Sequence, residues 1–79
     1  MKILFFATAR EATGCASAEL ALLEPASTDQ VWGALIAKYP ALAPLRGVAR
    51  LSRNDEYADA DARFADADVA AVIPPVSGG

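Results

Sequence analysis

The residues best suited to chemistry are Gly78 and Gly79, which end the sequence behind Pro74-Pro75-Val76-Ser77. Glycine has no Cβ, so this pair leaves the backbone as thin as a polypeptide can be. The two prolines act in the opposite sense, because their fixed φ holds the segment extended as it leaves the preceding strand. Six extended residues reach about 20 Å. The outcome is a probe with a stiff base at Pro74 and Pro75, a slender stem of Val76, Ser77 and Gly78, and an α-carboxylate on Gly79. A tip this narrow suits delivery of a chain terminus into another protein's active site. The competing reading is a frayed terminus of the ordinary kind.

Little else in the sequence offers chemistry. There is no histidine, which removes His-based triads and the usual zinc ligand sets, so no metal site is expected. The single cysteine, Cys15, excludes an internal disulfide and a Cys cluster, and it has no neighbouring base to activate it. Asp59, Asp61, Asp66 and Asp68 lack the loop glycine and closing bidentate glutamate of a calcium loop, so they read as solvated turns. Arg10 and Glu11 read as surface ions of small energetic weight. Trp32 reads as partial core rather than a ligand platform.

Seventy-nine residues make one small domain, and a hydrophobic share of 54% supplies a packed core. The net charge is −3. The imbalance is local, since positions 54–68 hold six acids and one base, Arg63. A basic footprint is absent, so nucleic-acid binding is disfavoured, and an acidic edge suits a basic protein partner or solubility. The opening Met1-Lys2-Ile3-Leu4-Phe5-Phe6-Ala7 has too short an apolar run for a signal peptide, and no stretch approaches membrane-spanning length. A cytoplasmic protein without membrane association is expected.

Positions 2–8 read as a strand, 8–17 as a polar loop containing Gly14, and 18–23 as a second strand. Ser27 with Gln30 three residues on is a capping-box pattern for a helix over 28–39, with Val31, Leu35 and Ile36 on one stripe. Pro40 stops that helix, and Pro44 and Gly47 mark a connecting loop. Positions 48–52 read as a third strand, Asn54-Asp55 as a turn, and 53–61 as too polar for a firm strand. A short segment packs back around Arg63-Phe64, and 66–68 turns into a final strand over 69–73. A hairpin, one helix and returning strands make an α+β roll with the helix on one face of a mixed sheet. The expected division is a domain over 1–73 and an extended, flexible tail over 74–79.

If Ile3 and Phe5 face the helix, strand alternation turns Leu4 and Phe6 to the other face. By the same rule, Ala70 and Val72 inward put Ala71 and Ile73 outward. Should the two strands be neighbours, Leu4, Phe6 and Ile73 form an apolar patch on the uncovered sheet face, and a partner surface is the usual reason for one.

Three segments carry a family resemblance: Leu4-Phe5-Phe6-Ala7 with Arg10-Glu11 and Gly14; Asn54-x-Glu56-Tyr57; and Asp66-x-Asp68-Val69-Ala70 running on to Pro74-Pro75-Val76-Ser77-Gly78-Gly79. Together they resemble the small subunits of molybdopterin synthase, which are ubiquitin-like sulfur carriers of β-grasp fold. The middle, 26–53, matches only in pattern. The resemblance implies that a ubiquitin-activating-type enzyme adenylates the Gly79 carboxylate with ATP, and that sulfur transfer then makes a Gly79 thiocarboxylate. It also implies that the tail, Pro74 to Gly78, inserts into the large synthase subunit, where sulfur is given to a pterin precursor to build a dithiolene. Leu4, Phe6 and Ile73 would belong to the docking surface. No tightly bound cofactor is implied, and the chain is the sulfur-donating subunit of a sulfurtransferase complex rather than an enzyme alone. Close relatives often carry aromatics before Pro-Pro where this chain has Val72-Ile73. Three alternatives stay open: a carrier for thiamine or another sulfur-requiring pathway, a non-catalytic ubiquitin-like interaction module, and a modifier that forms isopeptide bonds.

Overall fold

Alternation in the first and last strands organises the architecture. In the computed structural model, which describes residues 1–75, β1 (Lys2–Phe5) and β7 (Val69–Ile73) lie side by side and parallel, with Ile3 opposite Ala70 and Phe5 opposite Val72. These four residues are buried. β2 (Ser17–Glu19) pairs antiparallel with the outer side of β1, and β4 (Arg50–Arg53) pairs antiparallel with the other side of β7. β5 (Glu56–Tyr57) completes the sheet in the order β2-β1-β7-β4-β5. A second, two-stranded sheet joins β3 (Ala26–Ser27) to β6 (Arg63–Phe64).

The main helix, α2 (Thr28–Lys38), begins at the expected capping box. The Gln30 backbone N–H donates to Ser27 Oγ at 3.1 Å, and the Ser27 N–H donates to Gln30 Oε1 at 2.9 Å. Two otherwise orphaned donors are thereby satisfied. From α2, Val31, Trp32 and Leu35 enter a core shared with Ile3, Phe5, Leu51, Phe64 and Val72. Trp32 is thus fully in the core, not partly as expected. The sheet grips this helix on one face, which is the β-grasp arrangement.

Four details differ from the sequence expectation. Positions 8–17 are not all loop, since α1 (Ala7–Thr13) occupies most of them and ends at Gly14 in the left-handed region, φ 74°. β1 and β2 are shorter than expected, because α1 and the loop after Glu19 take over their ends. Pro40 stops α2 but opens a 3₁₀ helix over Pro40–Leu45, where a missing N–H at the first position costs nothing. The polar stretch after Arg53 does pair, as β5. Asn54 (φ 50°) and Asp55 (φ 71°) form the two-residue turn that joins it to β4. Positive φ at both central positions matches the twist of the flanking strands, and Asn and Asp tolerate it better than most residues.

Candidate docking face and tail exit

The face of the sheet away from α2 is where the expected site residues meet. Register fixes its rows. Leu4 on β1 stands opposite Ala71 on β7, Ala71 opposite Ser52 on β4, and Ser52 opposite Tyr57 on β5. One step along, Ile73 on β7 stands opposite Arg50 on β4. Phe6 continues the β1 alternation with extended backbone, φ −118° and ψ 151°. Leu4, Phe6, Ala71, Ile73, Ser52 and Tyr57 line a shallow groove of about 340 Å³, with Asp55 at its margin. Phe6 is 49% exposed and Tyr57 59% exposed. Large apolar groups left wet on one continuous face are costly unless something covers them.

The described chain leaves this face at its end. Pro74 is buried and Pro75 exposed, directly after Ile73. They share a second groove of about 230 Å³ with Val48, Arg50, Tyr57 and Ile73. The Arg50 guanidinium lies over its aromatic neighbour, with Cζ 4.1 Å from the Tyr57 ring centroid. Val76, Ser77, Gly78 and Gly79, expected to form the stem and tip, lie outside the described residues. Leu4, Phe6 and Ile73 therefore sit on one face, with Pro74 and Pro75 at its edge. Sequence reasoning missed Arg50 and Tyr57 as members of that face. The alternation Arg50-Leu51-Ser52 around one apolar residue was the available signal for the first.

Carboxylates at the far end of β7 tie its start to the rest of the fold. Asp68 Oδ2 accepts from the Ala65 N–H at 2.8 Å and pairs with Arg53 Nε at 3.1 Å, while Asp68 Oδ1 accepts from Asn54 Nδ2 at 3.0 Å. The Ala65 N–H, then the Asn54 amide, and finally the Arg53 guanidinium hold its carboxyl below the usual range. Asp66 Oδ1 accepts from the Leu22 N–H at 2.9 Å and from the Met1 ammonium at 3.0 Å, and these donors, in that order, lower its pKa also. Both aspartates act as structural clasps at the end of β7 opposite the tail.

The Cys15 thiol donates to the Tyr39 hydroxyl at 3.7 Å, and the Tyr39 ring meets Phe5 edge-on at 5.5 Å between centroids. Contact with the sulfur, and then burial, raise the Tyr39 phenol above its ordinary value. This pair packs beside the core, away from the open face. Among the described residues, no helix is long and apolar enough to cross a membrane.

Comparison with known proteins agrees with this geometry. The model of the ThiS family matches residues 3–79. The molybdopterin synthase sulfur carrier subunit of Arabidopsis thaliana is 37% identical over 79 residues, covering 100% of this chain and 82% of that protein. The human molybdopterin synthase sulfur carrier subunit is 29% identical over 82 residues, covering 100% of this chain and 93% of that protein. Among solved structures, SAMP1 from Haloferax volcanii superposes with a TM-score of 0.85 at 27% identity, covering 99% of this chain and 97% of that one. The fold is ubiquitin-like. With the family model matched almost end to end and a full-length relative above 30% identity, this chain belongs to the ThiS family.

Proposed function

We propose that this chain is the sulfur-carrier subunit of a molybdopterin synthase, acting in the cytoplasm in molybdenum cofactor biosynthesis. The observation that carries the reading is the continuity of the open apolar face with the tail exit: Leu4, Phe6 and Ile73 share one surface, and Pro74-Pro75 leave from its edge. A partner that covers the face receives the tail in a fixed direction. Relatives named as molybdopterin synthase sulfur carrier subunits, which this chain matches over its whole length, support this pathway over the others.

In this reading, residues 1–73 form the docking body and 74–79 the extended tail. A ubiquitin-activating-type enzyme uses ATP to adenylate the Gly79 carboxylate, making AMP the leaving group. Transfer of sulfur from a donor displaces AMP and leaves a Gly79 thiocarboxylate, an ionised sulfur nucleophile comparable to a reactive thiolate. Docking on the large synthase subunit inserts Val76, Ser77, Gly78 and Gly79, and two such transfers to the pterin precursor build the dithiolene. The catalytic side chains belong to the large subunit. This chain supplies the sulfur and its aim.

The test is intact-protein mass after incubation with an activating enzyme, ATP and a sulfide source. A gain equal to replacing oxygen by sulfur, present in the full chain and absent after deletion of Gly79, is the expected result. No gain with an enzyme shown to be active on another carrier would sink the reading. A second reading, a modifier joined to lysines through Gly79, is favoured by the similarity to small archaeal modifier protein 1. It shares the activation step but predicts covalent conjugates in cell extract, which the carrier reading does not.

A further inference from the structure

The open face carries a cation at its tail end that the chain itself leaves unmatched. Ten acids outnumber seven bases in this sequence. Arg53 pairs with Asp68 at 3.1 Å and Arg46 with Asp29 at 3.5 Å, while Arg10, Arg63 and Arg50 make no such pair among the described residues, and of these three only Arg50 lines the grooves of the open face and tail exit. Among the described residues no carboxylate lies within ion-pair distance of it, and its guanidinium rests instead on the Tyr57 ring. A cation–π contact of this kind restrains the long side chain without using up its N–H donors, which remain able to meet a bidentate acceptor. The surroundings are Val48, Ile73, Pro74 and Pro75, an apolar rim without a second cation. A lone guanidinium framed by apolar groups suits one carboxylate on a protein surface, whereas a phosphate cradle gathers further cations or backbone donors.

Resting on the carrier reading above, we infer that Arg50, preset by Tyr57, is a specificity-determining residue that pairs with an Asp or Glu side chain of the large synthase subunit beside the point where the tail leaves. The apolar groove supplies contact area, and the ion pair fixes which way round the body sits. Pro74 and Pro75 lie in the same groove as Arg50, so a fixed orientation there becomes a fixed direction for the tail. Asp55 at the margin of the neighbouring groove gives the face the opposite sign at its far side, and a rotated docking pose would place like charges together.

The experiment measures binding of the full-length chain to the large synthase subunit of the same source, by calorimetry at low and high salt. Four proteins are compared: the parent, Arg50→Ala, Arg50→Glu, and Arg63→Glu, which makes the same change of net charge at an exposed residue of β6, in the second sheet and away from this face. Thermal midpoints confirm that all four fold. The expected result is that Arg50→Glu weakens binding by about tenfold or more, as for one partner of a close interfacial charge pair. Arg50→Ala should also flatten the salt dependence, while Arg63→Glu binds within about twofold of the parent, as a distant rim charge does. Equal binding by Arg50→Glu and the parent overturns the inference, and so does equal weakening by Arg50→Glu and Arg63→Glu. Failure of the parent itself to bind overturns the carrier reading on which the inference rests, and is distinguished by appearing in all four proteins.

Discussion

Asn54 and Asp68 clasp each other at the start of β7. The Asn54 amide donates to Asp68 Oδ1 at 3.0 Å, and its own Oδ1 accepts from the Val69 N–H at 3.0 Å. The Asn54 backbone N–H closes the arrangement on the Val69 carbonyl at 2.8 Å. One turn residue thus fastens the β4–β5 hairpin to the strand that leads toward the tail. The family segments Asn54-x-Glu56-Tyr57 and Asp66-x-Asp68-Val69 are distant in sequence and adjacent in space for this reason.

Acid should loosen that clasp. The Asp66 and Asp68 pKa values lie below their unfolded values, so each contributes stability that is complete above the unfolded pKa and is lost as pH falls through the folded one. Denaturant midpoints measured from neutral pH down should begin to fall below about pH 4, the ordinary range of an aspartate. A double variant, Asp66→Asn with Asp68→Asn, should be less stable at neutral pH and show a shallower acid loss. Parallel curves for the two proteins would show that other carboxylates govern acid unfolding.

Phe6 permits a clean test of whether the open face is a docking surface. It is half-exposed, and it stands at the N-cap of α1, where aspartate is among the favoured residues. Phe6→Asp should therefore leave the thermal midpoint nearly unchanged, as a surface substitution within about 0.5 kcal/mol does. Affinity for the large synthase subunit should drop by about tenfold or more if Phe6 fills a pocket there. Unchanged affinity would remove Phe6 from the interface.

The core and the α2 cap should differ in their sensitivity. Phe64 is fully buried in the core, and truncating such a ring to alanine costs about 3–5 kcal/mol. Ser27→Ala removes one side of the capping box for about 1 kcal/mol. In a domain this small the first loss approaches the whole stability, so urea titration should find Phe64→Ala largely unfolded and Ser27→Ala folded with a lowered midpoint. A folded Phe64→Ala protein with the parent's midpoint would contradict the packing described for β6 against α2.

The elements written with strong signals were legible. Ser27 and Gln30 announced the start of α2, Pro40 its end, and the run from Val69 to Ile73 the strand β7, because caps and apolar runs act locally. The sides taken by Leu4, Phe6 and Ile73 followed from strand alternation once β1 and β7 proved to be neighbours. α1 was not legible as a helix, since Phe6 supplies no side-chain cap and Ala9 is its only buried residue; Gly14 after a run of helix formers was the one cue. β5 escaped notice because two exposed residues, Glu56 and Tyr57, are held by pairing with β4 rather than by burial. The Arg50–Tyr57 stack depends on that missed pairing, so no local reading of the sequence would have found it.

The position of β7 has a consequence for biosynthesis. It fills the middle of the large sheet, between β1 and β4, yet among the described strands it is the last to be made. Without it the pairings of the large sheet reduce to β2-β1 and β4-β5, with no strand to join them. Closure therefore waits on pairing between distant ends of the chain, the slow kind of contact in folding. A nascent or prematurely ended chain has neither a finished body nor a tail to present. The strand that joins the two halves of the sheet also leads directly into Pro74 and Pro75, so a chain long enough to present them has already supplied the strand that closes its body.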